Sequence, residues 1–215
     1  ATSSSRIVVS DNEFRGGNLQ LSVTESNGIV VSGNIFYDAN SSAVSIGNSK
    51  RCLVADNIIE AFDERGVYIF GASAAFSSSY EEFTVTGNVL DGSGGDGTTA
   101  CMSIGVSTGY VQNVAVTGNV ITSAAADAIE VYARYGNITG NTARGATGDG
   151  LDLGDSEDVL VSGNNFRDAG AYGIDASDAS DCQLNNNDCA DATTGAINLS
   201  ADVVQYDNQG QVGVP

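Results

Sequence analysis

Histidine is absent from this sequence and lysine occurs once, at Lys50, so that eight Lys and Arg residues stand against 27 Asp and Glu residues and the formal net charge at pH 7 is −19. A surface this acidic repels nucleic-acid phosphates and anionic lipids, and we expect neither as a partner. No apolar run approaches the ~18 residues of a membrane-spanning helix, which argues against membrane insertion. The Lys-poor, acidic composition is typical of halophiles, because high salt screens self-repulsion, and it predicts a high-salt environment.

The four cysteines lack the pattern of a metal site. Cys52, Cys101, Cys182 and Cys189 include no CxxC pair, and no histidine is available to complete a zinc site. Cys52 and Cys182 occupy positions that hold Ile, Val or Phe in other copies of the repeat described below. We therefore expect buried, small hydrophobic side chains; the sequence leaves a Cys182–Cys189 disulfide open.

A seven-residue motif of the type VVSGNIF, found at 30–36, occurs in nine copies. Its asparagines are 21–23 residues apart, except for two spacings of 31, and the segments between them show no helical periodicity. This period is typical of a β-solenoid with one coil per repeat. We expect the asparagines to take the left-handed backbone conformation at a sharp bend and to form a hydrogen-bonded stack along the solenoid. They are Asn12, Asn34, Asn57, Asn88, Asn119, Asn141, Asn164, Asn187 and Asn208.

Each coil contains three short stretches of strand character. Apolar residues stand five and three positions before the asparagine, as in Ile29 and Val31, and another follows two positions after it. About ten residues after the asparagine comes a third stretch, such as Ala128-Ile-Glu-Val. The pattern predicts an all-β, three-walled parallel solenoid of about nine coils in one domain, residues 1–215. We expect this domain to be part of a longer protein, with flanking domains or a homo-oligomeric partner covering the open coil ends.

Extra length is confined to the two adjacent coils between Asn57 and Asn119. The additional residues lie within 71–82, 91–100 and 105–113, which flank the third strand on both sides. Because solenoids tolerate insertions anywhere on their surface, clustering beside one wall predicts a groove there.

The outward positions of the third strand form one column, with neighbours ~4.8 Å apart. Glu130, Asp152 and Asp175 are the candidate catalytic residues. The distance between neighbours in the column, one rung, is close to the carboxyl separation of retaining glycosidases, and twice that distance is close to the separation in inverting glycosidases. Crowded carboxylates also raise one another's pKa, which suits a general acid. The complete column is Ser45, Tyr68, Ser103, Glu130, Asp152, Asp175 and Asn198.

The recurring V-x-G-N-x-I … G-I-x-V coil over residues 6–208 resembles the pectate-lyase-like superfamily, whose repeats occur in carbohydrate-binding and sugar-hydrolysing proteins and in mannuronan epimerases. The resemblance implies a right-handed, single-stranded parallel β-helix with its substrate groove on the third-strand wall. The acid-and-histidine catalytic motif of the epimerases has no counterpart here, since histidine is absent.

Further roles follow if this wall binds a polysaccharide. The rings of Tyr68 and Tyr132 can stack on sugars, and Ser103 and Arg134 complete the candidate substrate-binding set. Ca²⁺ is a candidate cofactor, because it prefers several oxygen ligands, and Asp127, Asp149 and Asp155 are its candidate ligands. With calcium, Arg134 or Arg65 can act as the base of a lyase that resembles pectate lyases.

Two classes of function remain open. The first is an extracellular or surface domain that binds or cleaves a polysaccharide, as a hydrolase or lyase with an acidic groove. The second is a non-catalytic structural module, such as a virion spike, a fibre or a cell-surface segment, on which the carboxylates form a solvated halophilic face. An anionic polymer needs arginine or bridging Ca²⁺ to approach such a face, whereas a neutral glycan does not.

Overall fold

The computed structural model describes residues 6–71 and 80–210, which form 24 β-strands and no α-helix. The chain winds through three parallel sheets in turn, and each of the first seven coils adds one strand to each sheet. The eighth coil adds a strand to the first and third sheets and only an isolated bridge at Asp188 beside the second, and the ninth repeat adds the last strand of the first sheet. Within the described ranges there is no helix with the length and apolar character needed to cross a membrane. The all-β parallel solenoid predicted from the repeat is confirmed.

The first sheet contains the strands that precede the repeated asparagines, and all its pairings are parallel. Its strands are β1 (Ile7–Ser10), β4 (Asn27–Ser32), β7 (Lys50–Ala55), β10 (Glu81–Thr86), β13 (Val111–Thr117), β16 (Ala133–Thr139), β19 (Glu157–Ser162), β22 (Gln183–Asn185) and β24 (Val204–Tyr206).

The second sheet follows the asparagines, and the third sheet closes each coil. The second comprises β2 (Glu13–Arg15), β5 (Ile35–Ala39), β8 (Ile58–Phe62), β11 (Val89–Asp91), β14 (Val120–Thr122), β17 (Thr142–Arg144) and β20 (Asn165–Arg167). The third comprises β3 (Leu21–Thr24), β6 (Val44–Gly47), β9 (Val67–Phe70), β12 (Met102–Ile104), β15 (Ile129–Val131), β18 (Leu151–Asp152), β21 (Tyr172–Ala176) and β23 (Gly195–Leu199).

The core is a column of stacked apolar side chains inside the coils. The period-two alternation puts Val54 above Val31 and below Val85, all three fully buried, and similar rows run along the other two sheets. Full burial of each such side chain stabilises the fold by about 1.5–3 kcal/mol before chain entropy is counted. All four cysteines are buried in this column and free, as expected for small apolar side chains.

The nine repeated asparagines form one continuous ladder, as predicted. In each rung the backbone N–H and the side-chain NH₂ of one asparagine donate to the Oδ1 of the next, at 3.1 and 2.9 Å for Asn57 and Asn88. The same NH₂ group of Asn57 also donates to the carbonyl of Val31, at 3.0 Å. The seven members from Asn34 to Asn187 are at most 1% exposed. The ladder therefore satisfies polar groups that burial would otherwise leave unpaired, and it fixes the coil register.

The left-handed conformation, however, belongs to the residue before each asparagine, so the prediction that the asparagine itself adopts it is wrong. Gly33 and Gly87 have φ of 64° and 65°, and Asp56 has φ of 55°. This residue makes the corner, and the asparagine then points its amide inward with ordinary backbone angles. Only Gly, Asp and, at position 186, Asn precede the ladder asparagines, and these are the residues that tolerate a positive φ.

The insertions predicted beside the third sheet are partly confirmed. Ten residues, 92–101, separate β11 from β12, and six, 105–110, separate β12 from β13, whereas one residue joins β15 to β16. These longer connections lie on both sides of β12, as the spacing indicates. Most of the segment predicted at 71–82 lies outside the described residues.

Candidate functional site

The outward column of the third sheet is formed in the register predicted from the sequence. Ser103, Glu130 and Asp152 are consecutive Cα partners, and Asp175 and Asn198 continue the row. The three acidic side chains are half-buried. We use the name carboxylate cluster for Asp127, Glu130, Asp149, Asp152 and Asp175, which lie on three successive coils of this wall.

Glu130 is hydrogen-bonded to a side chain of the preceding coil. The Ser103 hydroxyl donates to Glu130 Oε2 at 2.9 Å and accepts from Arg65 Nε at 3.0 Å. The Arg65 guanidinium also lies over the Tyr68 ring, 4.4 Å from its centroid. Burial raises the pKa of Glu130, whereas the Ser103 hydrogen bond and the charge of Arg65 oppose the rise. Ser103, predicted to contact substrate, is fully buried, and its hydroxyl contacts Glu130 instead.

Asp152 occupies the centre of the cluster. Burial is the largest cause of its shift, and the charges of Asp127, Glu130, Asp175 and Asp149 add to it, which together raise its pKa to about 7. The sequence suggested mutual repulsion as the cause, but in the structure desolvation contributes more. At neutral pH this carboxyl can therefore hold a proton, as a general acid requires.

Asp127 and Asp149 lie three residues before the column, and each reaches the next coil. Asp127 Oδ1 accepts from the Asp149 backbone N–H at 2.6 Å, and Asp149 Oδ1 accepts from the Tyr172 backbone N–H at 2.6 Å. Burial raises the pKa of both carboxyls, that of Asp149 to about 6, although the backbone hydrogen bonds oppose the shift. In residues 6–71 and 80–210, no three acidic or cysteine side chains have a metal-binding arrangement. Calcium binding stays a prediction.

Tyr132 and Asp155 lie at the opposite end of the strands. The Tyr132 ring packs on Gly154, where a Cβ atom would come within 2.2 Å of the ring. Tyr110, from the 105–110 connection, donates its hydroxyl to Asp155 Oδ2 at 2.8 Å, and its ring centroid is 6.0 Å from that of Tyr132. Burial and nearby carboxylates raise the pKa of both phenols to about 12, so both remain hydrogen-bond donors at neutral pH. Tyr110 is absent from the residues predicted from the sequence, where its only signal was its place in an insertion.

Arg134, predicted to bind substrate beside the cluster, is on another sheet. The chain crosses from β15 to β16 through Tyr132 alone, so Arg134 belongs to the first sheet. There its Nη2 lies 2.9 Å from Glu157 Oε1. Of the two arginines proposed as a base, the structure brings only Arg65 to the third-sheet wall.

Comparison with known proteins shows the class to which this fold belongs. The family model described as the right-handed β-helix region matches residues 1–103 and 80–209, and the chain is therefore a member of that family. A comparison with curated protein sequences gave no significant match.

Several solved structures share the fold. A mutant of the periplasmic alginate epimerase AlgG superposes with a TM-score of 0.71 at 14% identity, covering 94% of this chain and 49% of that protein. A glycoside hydrolase gives 0.66 at 12% identity, covering 90% and 39%. A family 28 exopolygalacturonase from Yersinia enterocolitica gives 0.60 at 14% identity, covering 97% and 44%. The chain spans less than half the length of each, and the likeness at these identities shows the fold alone.

Proposed function

We propose that this domain binds a polysaccharide along the outer wall of the third sheet and hydrolyses a glycosidic bond there. The observation that carries the proposal is the carboxylate cluster, in which Asp152 has a pKa of about 7 and stands one rung from Glu130 and one from Asp175. The neighbours named as a glycoside hydrolase and an exopolygalacturonase share the scaffold and support this class of substrate.

In the proposed reaction Asp152 is the general acid, and its proton passes to the glycosidic oxygen as the bond from that oxygen to the anomeric carbon breaks. We assign Glu130 as the partner that reacts in its charged form, since the Ser103 hydrogen bond and Arg65 both favour that form against the effect of burial. A separation of one rung, ~5 Å, favours attack by Glu130 on the anomeric carbon and later hydrolysis of that ester by water, with retention of configuration. If Glu130 instead pairs with Asp175, two rungs away, there is room for a water molecule to attack, and the configuration at the anomeric carbon is inverted.

The charge of the wall favours a neutral glycan. Arg65 reaches the cluster through Ser103, and it is already engaged by that hydroxyl and by the Tyr68 ring. An anionic polymer would meet a net charge of −19. Because a neighbour is periplasmic, we further propose an extracellular or surface location, and on the acidic, Lys-poor composition we propose a high-salt environment.

The test is a reducing-sugar assay on neutral and uronic-acid polysaccharides at high salt, with calcium or with a chelator. Asp152→Asn and Glu130→Gln should each lower the rate at least ~100-fold, the usual contribution of a general acid or base. Glu60→Gln, an exposed carboxylate on the second sheet, is the matched control and should keep the full rate.

Equal rates in all three variants would refute the assignment. Dependence of the rate on calcium, with an unsaturated product, would favour a lyase. Binding without cleavage would leave a polysaccharide-binding domain. Neither binding nor cleavage of any polymer would favour the non-catalytic structural module, for which the buried ladder and continuous core provide rigidity.

A further inference from the structure

A shallow groove of about 510 Å³ lies on the outer face of the first sheet, across β13, β16 and β19. Its floor includes Ala115, which has the smallest side chain in the outward column of this sheet. The two side chains that follow it in the column, Asn137 and Leu160, are larger and also line the groove. The column runs Val8, Val30, Leu53, Thr84, Ala115, Asn137, Leu160, Gln183 and Val204.

One wall of the groove is Tyr135, whose backbone is in the left-handed region with φ of 60°. The same bulge in adjacent coils holds Asn113 and Asp158, at 53° and 56°. Asn and Asp tolerate this conformation, whereas a bulky aromatic residue there is uncommon and strained. The same bulge also holds Arg51 and Glu82, at 55° and 65°, so the conformation is general to this sheet and the aromatic side chain is what distinguishes this coil.

The Tyr135 ring is presented to solvent and held in place. The residue is 47% exposed, and the Arg134 guanidinium lies over the ring, 4.8 Å from its centroid. An exposed aromatic ring is a platform for the apolar C–H face of a sugar. Arg134 thus acts here, on the first sheet, rather than at the carboxylate cluster.

The rest of the lining suits a neutral saccharide. Asn113, Asn137 and Asp158 offer amide and carboxylate groups for sugar hydroxyls, while Ala115 and Leu160 give an apolar floor. The volume falls within the ~300–1,000 Å³ of small-molecule sites.

We propose that this first-sheet groove, lined by Asn113, Ala115, Tyr135, Asn137 and Asp158, is a second saccharide-binding site that holds a neutral glycan and takes no part in its cleavage. The site is on a different sheet from the carboxylate cluster, so it does not depend on the hydrolysis proposed above. For a polymer it would supply a holding site on another face of the same rod.

Isothermal titration with cellohexaose, xylohexaose and mannohexaose tests the proposal. The background is the Glu130→Gln/Asp152→Asn double variant, which removes the proposed cleavage. We expect at least one hexasaccharide to bind at millimolar concentration or below. Tyr135→Asn should weaken that binding about tenfold, since loss of one stacking ring approaches the free energy of a tenfold change. Ala115→Leu should also weaken it, because the larger side chain takes up part of the floor beside the Tyr135 ring.

The variants are chosen to preserve the fold. Asparagine already occupies this bulge at Asn113, and thus Tyr135→Asn should keep or raise the melting temperature. Tyr206→Asn removes another exposed tyrosine of the first sheet, 60% exposed and outside the groove, and should leave affinity unchanged. The proposal is overturned if none of the three hexasaccharides binds the background variant, or if Tyr135→Asn binds as tightly as that background.

Discussion

At the scale of single residues, the shifted carboxyl of Asp152 makes stability depend on pH. Its pKa rises from 3.8 to about 7 on folding, so the unfolded chain ionises it first. The stabilisation is complete below about pH 4 and is lost as the pH rises through about 7. Asp152→Asn should therefore raise the free energy of unfolding by ~2 kcal/mol at about pH 8 and change it little at about pH 4, as measured by urea denaturation.

The control for this effect is Asp178→Asn, which removes an exposed carboxyl close to the same sheet and should have little effect at either pH. Destabilisation by Asp152→Asn at the higher pH would contradict the burial of this carboxyl.

Residue positions in the site followed from the sequence, but their surroundings did not. Alternation along the third strand fixed which side chains point outward, and Glu130, Asp152 and Asp175 stand where it put them. The alternation does not indicate which outward side chains are buried by residues of neighbouring coils. Ser103 points outward in the same way, yet it is fully buried, because Arg65 and Glu130 close over its hydroxyl.

At the scale of elements, the asparagine ladder should be strongest in its middle. Asn119 accepts from the backbone N–H and side-chain NH₂ of Asn88 at 3.0 and 2.9 Å and donates to the Val85 carbonyl at 3.0 Å. Asn119→Ala leaves these buried groups without partners and opens a cavity. We expect it to lower the free energy of unfolding by ~3 kcal/mol in urea denaturation.

Asn12→Ala, at the exposed end of the ladder, is the matched substitution. It leaves Asn34 Oδ1 with the backbone N–H of residue 12 as donor, so the loss should stay below ~1 kcal/mol. Similar losses at the two positions would mean that the ladder contributes little beyond local turn geometry.

Strands and corners were predictable to different degrees. A period near 22 with period-two alternation was sufficient for the strands, because every coil repeats the same register. Corners depend on single backbone angles, and the sequence pattern Gly-Asn or Asp-Asn does not say which member turns. Arg134 was misplaced for the same reason: counting residues after Glu130 ignores that the chain turns at Tyr132 onto another sheet.

At the scale of the whole molecule, a net charge of −19 should make stability rise with salt. Going from about 0.1 M to about 1 M KCl shortens the Debye length from ~10 Å to ~3 Å, which screens repulsion among the carboxylates. We expect a clear rise in melting temperature over this range, measured by circular dichroism.

Near pH 4, where many carboxyls are protonated, the same salt step should have a much smaller effect. A melting temperature that does not change with KCl concentration at neutral pH would contradict the proposal of a high-salt environment.

The ladder also has a consequence for how the molecule opens. Its bonds join residues 21 to 31 positions apart, always between successive coils, and the three sheets pair successive coils in the same way. Such a stack has nearest-neighbour energetics, so unfolding can begin at a terminal coil and proceed like a zipper. The carboxylate cluster lies on interior coils, with at least one coil beyond it on each side. Because the terminal coils unfold first, the carboxylates of the cluster keep their spacing until unfolding extends to their own coils.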